Sequence, residues 1–138
     1  EYVTIAIELI DSRYRDFKFA LGDVIADNAS GSRVVLGDMA VRPGKVDLSN
    51  VGMVFEVDGV PRHFASSAAI LDHPLRSLLA LVRLLDRFSD VNGGARLGEG
   101  DVVIAGAATE AVPLDAGTWV RLRTDGLGDV SLRMREQE

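Results

Sequence analysis

Two alternating apolar runs joined by an Asp-Gly pair constrain the fold of this chain more than any other feature. Residues Val51 to Val57 and Val60 to Ala65 have the composition of strands, and Asp58-Gly59 favours the positive φ angles of a type I′ turn. Residues 119–123 and 130–134 alternate in the same way, across a Gly-rich connection. The sequence therefore predicts two hairpins. Because alternation with a period of two places apolar side chains on one face of a strand, the second hairpin is predicted to have one buried face.

The rest of the chain predicts further strands and one long helix. The apolar, β-branched runs at 3–10 and 101–105 are typical of buried strands, and residues 33–37 form a shorter apolar element closed by a glycine. Apolar residues recur at helical spacing after Pro74, which favours a helix near 74–88 capped by Asp72 or His73. We therefore predict a single domain over residues 1–138, of the α+β class and rich in β-structure.

Charge and composition exclude several classes of protein. The 138 residues include 15 basic and 21 acidic side chains, and the resulting net charge of −6 disfavours a nucleic-acid partner. The absence of cysteine excludes disulfides, thiolate zinc sites and a cysteine nucleophile. No apolar run approaches the roughly 20 residues that span a bilayer, and no signal peptide is evident, so we expect no membrane association and a cytoplasmic location. The first residue is not Met, as expected of a fragment or a processed end.

Glu8 is the one acidic residue within the apolar run at 3–10. On a strand its side chain shares a face with Ala6 and Ile10. Burying a carboxylate there is costly unless a cation or hydrogen-bond donors compensate its charge. Spacing alone leaves two interpretations open. Either the face is exposed or Glu8 pairs with Arg13, or Glu8 is a ligand of a hard metal ion.

Two loops of small residues are further candidates for a binding site. One offers the carboxylate of Asp27, the amide of Asn28 and the hydroxyl of Ser30, although Asp, Asn and Ser are also the usual residues of caps and Asx turns. The other contains Gly106 and Ala107, which follow a predicted strand. Their backbone N–H groups could approach an anionic substrate, or they could simply end the strand.

Five short strings, spread between residue 3 and about residue 134, have the same order and spacing as in a known family of proteins. They are Ala6-Ile-Glu-Leu-Ile-Asp-Ser-Arg13, Val24-Ile-Ala-Asp-Asn-Ala-Ser30, Ala68-Ala-Ile-Leu-Asp-His-Pro74, Gly100-Asp-Val-Val-Ile-Ala-Gly-Ala107, and Ala116-Gly117 through Gly126-Leu-Gly-Asp-Val-Ser131. In this combination the chain resembles the C-terminal part of the 2-keto-4-pentenoate hydratase and 4-oxalocrotonate decarboxylase family. The segments 13–19 and 109–113 are more similar to the decarboxylase branch.

The resemblance implies a mixed β-sandwich roll of the fumarylacetoacetate hydrolase type, and a Mg²⁺ or Mn²⁺ ion held by three carboxylates, one of them Glu8. It implies a 2-oxo acid substrate that chelates the metal. The implied reaction is the decarboxylation of 2-oxo-3-hexenedioate (4-oxalocrotonate) to 2-hydroxypenta-2,4-dienoate in the catabolism of aromatic compounds. It also implies a homo-oligomer, with association between decarboxylase and hydratase partners. The residues implied to line the substrate pocket are Asp27, Asn28, Ser30, Gly106 and Ala107.

The chain departs from the family pattern at several positions. The family's other two metal-binding carboxylates form a Glu-x-Glu pair before the strand of Glu8, and no such pair precedes Glu8 here. The string Glu136-Gln137-Glu138 is instead predicted to be a solvated tail. Asp72 stands where the family prefers glycine, and neither His63 nor His73 has the spacing of metal ligands, so the catalytic residues are left unassigned.

Three alternative functions therefore remain beside the decarboxylase. The first is the 2-hydroxypenta-2,4-dienoate (2-keto-4-pentenoate) hydratase of the same family. The second is an inactive fragment or relative that lacks the Glu-x-Glu ligands. The third is a module that binds small 2-oxo acids without turnover.

Overall fold

The computed structural model describes residues 1–135, which form two antiparallel sheets and two α-helices. The smaller sheet pairs β1 (Ala6–Ile10) with β2 (Gly31–Leu36). The larger sheet has the order β4-β3-β5-β6. Its strands are β3 (Gly52–Val57), β4 (Val60–Ser66), β5 (Trp119–Thr124) and β6 (Gly128–Arg133). The helices are α1 (Leu21–Ala26) and α2 (Leu75–Arg87). The predicted tail Glu136-Gln137-Glu138 lies outside the described residues.

Both predicted hairpins are confirmed. Asp58 and Gly59 connect β3 to β4 with φ angles of 50° and 77°, as a type I′ turn requires. A Gly-rich turn connects β5 to β6. Antiparallel pairing of β3 with β5 joins the two hairpins into one sheet. This pairing links residues far apart in sequence, and local patterns did not predict it.

The core lies between the two sheets, which contact each other through β6. Val120 in β5 is completely buried. A buried hydroxyl, that of Ser67, closes the core at the end of β4: it donates to Leu48 O and accepts from Val51 N–H, both at 2.7 Å. The buried apolar residues are Ile5, Ile7, Leu48, Val51, Val120, Leu122, Leu127 and Val130.

The strand predicted at 3–10 is shorter and less buried than expected. The ladder begins at Ala6, and Val3 forms an isolated bridge to Val41. One face of β1 contributes Ile7 to the core, whereas Glu8 on the other face is exposed. The sequence correctly placed Ala6 on the face of Glu8, but the prediction that the whole run is buried was wrong.

The buried strand predicted at 101–105 is absent from the described structure. This segment has no assigned secondary structure, and Val102 is 61% exposed. A strand needs a hydrogen-bonding partner, and an isolated apolar run has little stability in water. Within residues 1–135 nothing pairs with this segment, so its composition alone does not make a strand.

The predicted long helix is confirmed as α2. His73 supports its start, since its Nδ1 accepts a hydrogen bond from Leu75 N–H at 3.2 Å. The apolar stripe remains largely uncovered, and Leu79 is 54% exposed. Helix α1 was not predicted, because its six residues are too few to show a helical period. No helix within residues 1–135 is both long enough and apolar enough to cross a membrane.

Candidate functional site

Glu8 lies in the middle of β1, opposite Val34 of β2. Its carboxylate faces Gly31, where a Cβ atom would come within 3.3 Å of Glu8 Oε1. The ladder shifts register nearby, between Leu9 and Ile10. Bulges of this kind often re-aim side chains beside functional sites. The local geometry therefore packs the Glu8 carboxylate closely against Gly31.

Asn28 also packs against Gly31. The Cβ position at Gly31 is 3.1 Å from Asn28 O and 3.5 Å from Asn28 Nδ2. One point is therefore within 3.5 Å of both the Glu8 carboxylate and the Asn28 amide. A larger residue than glycine at position 31 would crowd these groups. The fold thus brings together two of the side chains that the sequence singled out.

Residues Asn28, Ala29 and Ser30 form a turn that we call the 28–30 turn. Their φ angles are 51°, 53° and 60°, in the left-handed region. This conformation costs a non-glycine residue about 1–2 kcal/mol. Such strain persists only where surrounding contacts impose it, and it is concentrated at functional sites. The turn is tied to the end of β1 by a hydrogen bond from Asp11 N–H to Ser30 O at 2.8 Å.

Asp27 is the buried anchor of the 28–30 turn. Its Oδ2 accepts a hydrogen bond from Ser30 Oγ at 2.8 Å and a longer one from Ser12 Oγ at 3.3 Å. Its Oδ1 forms an ion pair with Arg13 Nη1 at 3.0 Å, and Asp27 O also accepts from that nitrogen at 3.0 Å. Arg13 thus pairs with Asp27, so the alternative that it pairs with Glu8 is not what the structure shows.

The same contacts set the protonation of Asp27. Burial by itself raises the pKa of this carboxyl group. The hydrogen bonds from Ser30 and Arg13 and the positive charge of Arg13 outweigh that effect and lower the pKa below its usual value. Asp27 is therefore a carboxylate at neutral pH, and its charge is compensated within the fold.

Gly106 and Ala107 lie in the segment without secondary structure. A Cβ atom on Gly106 would meet only Ile70, at 3.4 Å from Ile70 Cγ2. The φ of Gly106 is +124°, which few other residues adopt. The structure thus groups Glu8, Asp27, Asn28 and Ser30 but does not place Gly106 in contact with them, and the substrate contact of Gly106 and Ala107 stays a prediction.

Arg13 and Ser12 belong to the site but were missed as site residues. The sequence contained a signal for them, since both stand in the string that carries Glu8. A local pattern could not show that Arg13 turns toward Asp27, 14 residues away.

The metal predicted for Glu8 is not accommodated by the described residues alone. Within residues 1–135, no three His, Asp or Glu side chains are grouped closely enough to hold a metal ion. A magnesium ion usually needs one or two carboxylates and further oxygen ligands in octahedral geometry. Glu8 supplies one carboxylate, and Asn28 offers an amide nearby. One carboxylate and one amide are too few protein ligands for a magnesium site.

Comparison with known proteins confirms the resemblance predicted from the five strings. Proteins named as 4-oxalocrotonate decarboxylases and as 2-keto-4-pentenoate hydratases match over most of this chain. No family model matches the chain.

Three of these relatives illustrate the match. A 4-oxalocrotonate decarboxylase of a Pseudomonas species is 48% identical over 131 residues, which are 95% of this chain and 48% of that protein. The TodF product hydratase of Pseudomonas putida strain F1 is 37% identical over 95% of this chain and 47% of its own length. A solved structure of 4-oxalocrotonate decarboxylase from Pseudomonas putida G7, complexed with magnesium and adipate, superposes with a TM-score of 0.88 and 38% identity, covering 97% of this chain and 49% of that one. The chain spans about half the length of the relatives it matches.

Proposed function

We propose that this chain is part of a metal-dependent decarboxylase that converts 2-oxo-3-hexenedioate to 2-hydroxypenta-2,4-dienoate. The observation that carries the proposal is the 48% identity, over nearly the whole chain, to a protein named 4-oxalocrotonate decarboxylase. A homologous structure was solved with magnesium and adipate. Adipate has the same six-carbon dicarboxylate chain as 2-oxo-3-hexenedioate, which supports a dicarboxylate substrate.

The reaction requires a site that stabilises negative charge on the 2-oxo oxygen. The bond between C5 and C6 breaks, and its electron pair passes along the conjugated chain to the oxygen at C2. Carbon dioxide leaves, and that oxygen takes up a proton. Donors placed near this oxygen accelerate such a step, because they meet charge that develops in the transition state. We propose that the Asn28 amide is one of these donors, and that Ser30, Gly106 and Ala107 line the pocket.

We propose that Glu8 contributes one ligand to a divalent metal, Mg²⁺ or Mn²⁺, when the remaining ligands are supplied. The magnesium in the homologous structure supports a divalent ion. The exposed position of Glu8 beside Gly31 and Asn28 supports its role as a ligand rather than a residue of the core. We also infer that residues 1–138 are the C-terminal portion of one catalytic domain with a fumarylacetoacetate hydrolase-type roll.

The test is carbon dioxide release from 2-oxo-3-hexenedioate, with and without Mg²⁺, by the wild-type chain and by Glu8→Gln. Where the remaining ligands are supplied, we expect release that requires Mg²⁺ and falls at least on the order of 100-fold in the variant, because even changes to residues behind a metal's ligands cost about 10- to 100-fold. Glu99→Gln, at another exposed carboxylate, serves as the matched control and should retain activity.

The outcome without turnover also discriminates between functions. If the chain alone is inactive, a segment bearing the Glu-x-Glu pair is added in trans. Activity that then appears and depends on Glu8 supports the decarboxylase. Continued inactivity would instead support an inactive relative, or a module that binds 2-oxo acids without turnover.

The hydratase of the same family is the second candidate. The TodF product hydratase matches 95% of this chain, although its identity of 37% is lower than the 48% of the decarboxylase. The same samples should therefore be offered 2-hydroxypenta-2,4-dienoate. Faster consumption of this dienoate than of 2-oxo-3-hexenedioate would favour the hydratase.

We propose that the protein self-associates and that decarboxylase and hydratase partners can associate with it. The uncovered apolar side chains of α2, such as Leu79 and Val82, support an assembly, since large exposed apolar surfaces commonly mark interaction sites. Sedimentation velocity on the purified chain should show a species larger than 14.8 kDa. A monomer at all concentrations tested would contradict self-association.

A further inference from the structure

The strained 28–30 turn needs contacts that hold it in place. Three consecutive residues other than glycine have positive φ, and Ala29 has no polar side chain to compensate. Two backbone hydrogen bonds fix the ends of the turn, from Ser30 N–H to Asp27 O at 2.9 Å and from Asp11 N–H to Ser30 O at 2.8 Å. The buried side chain of Asp27 also contacts the turn, since it accepts a hydrogen bond from Ser30 Oγ.

The carboxylate of Asp27 is 1% exposed, and its two oxygens are shared between separate partners. One oxygen accepts from the Ser30 hydroxyl, and the other pairs with Arg13. The same nitrogen of Arg13 also reaches the Asp27 carbonyl oxygen. Arg13 therefore fixes both the side chain and the backbone of the residue that precedes the turn.

We propose that Arg13 and Asp27 are positioning residues, whose ion pair holds the 28–30 turn so that the Asn28 amide stays beside the Glu8 carboxylate. The proposal rests on the proposed function in one respect, namely that Glu8 and Asn28 contact the metal and the substrate. It gives Asp27 a role different from direct substrate contact. Both oxygens of its carboxylate already accept hydrogen bonds within the protein, so a substrate would have to displace Ser30 or Arg13 to reach them.

The other Arg–carboxylate pairs of the described residues provide a control. Arg123 forms an ion pair with Glu56 at 2.7 Å, with the arginine about half exposed and the carboxylate mostly buried. Arg13 and Asp27 have the same asymmetry, with 60% of the arginine side chain exposed. Arg123 and Glu56 lie on the larger sheet, and their side chains hydrogen-bond to each other. Arg123→Gln therefore loses a comparable ion pair away from the site.

The first experiment does not depend on enzymatic activity. Amide hydrogen exchange and ¹H–¹⁵N spectra are recorded for the wild-type chain, Arg13→Gln, Arg13→Lys and Arg123→Gln. In Arg13→Gln we expect exchange of the Ser30 and Asp11 amides to accelerate on the order of tenfold, because local opening becomes easier. Arg13→Lys should restore part of the protection, since an ammonium keeps the charge but is more strongly hydrated than a guanidinium. Unchanged amides in Arg13→Gln, or equal changes in Arg123→Gln, would overturn the proposal.

The second experiment measures steady-state kinetics of 2-oxo-3-hexenedioate decarboxylation in the same variants, with the Glu-x-Glu segment added in trans if the chain alone is inactive. We expect KM to rise on the order of tenfold in Arg13→Gln, partial recovery in Arg13→Lys, and a change of less than about twofold in Arg123→Gln. A smaller folded fraction lowers kcat but cannot raise KM, so this readout separates positioning from stability. An unchanged KM in Arg13→Gln would overturn the positioning role. Absence of turnover in the wild type, even with the Glu-x-Glu segment added in trans, would count against the proposed function, while the amide measurements would still decide whether Arg13 holds the turn.

Discussion

The larger sheet and the 28–30 turn are held by different kinds of interaction. In the sheet, Val120 and Leu122 are buried among other apolar side chains, so removal of apolar surface from water is the main stabilising term. Around the turn, Leu21 and Ile25 of the preceding helix are largely exposed, and the buried group is the carboxylate of Asp27. Apolar packing therefore stabilises the larger sheet, whereas hydrogen bonds and one ion pair hold the residues of the candidate site in place.

The largest effect is expected in the sheet. Leu122→Ala should lower the free energy of unfolding by about 3 kcal/mol, because it removes buried methyl groups and leaves a cavity. Leu79→Ala on the exposed stripe of α2 is the matched control and should change it by less than about 0.5 kcal/mol. Chemical denaturation measures both. Equal losses would show that α2 is packed in solution and would break the contrast between these regions.

A smaller effect is expected from the charge of Asp27, and it depends on pH. The pKa of Asp27 is lowered in the folded state, so its stabilising contribution is fully present above the unfolded value of 3.8 and is lost as the pH falls through the lower, folded pKa. Asp27→Asn should therefore destabilise the protein most at neutral pH. The difference from wild type should shrink progressively below about pH 4.

Denaturant titrations between pH 7 and pH 3 test this dependence on Asp27. Asp129→Asn is the control, because the ion pair of Asp129 with Arg121 is partly exposed on both sides and contributes little. A stability difference between wild type and Asp27→Asn that stays constant down to pH 3 would contradict the assigned cause of the pKa shift. It would also weaken the view that polar contacts hold the turn.

Local sequence patterns predicted the hairpins and α2 because each depends on neighbours in the chain. Asp58-Gly59 adopts the positive φ angles that its turn requires, and the apolar spacing after Pro74 gave the helix within one residue at either end. The run at 101–105 has an equally apolar composition and yet forms no strand in the described structure. A strand depends on a partner that its own sequence does not contain.

For the candidate site, the sequence singled out the residues, and the fold decided how they meet. The resemblance singled out Glu8, Asn28 and Ser30 from the order of short strings alone. The tertiary structure decided that β1 exposes Glu8, that the 28–30 turn brings Asn28 beside it, and that Arg13 pairs with Asp27. The physical reason is the separation along the chain over which each kind of interaction acts. Turn and helix preferences act over a few residues, whereas strand pairing and a buried ion pair depend on groups that only folding brings together.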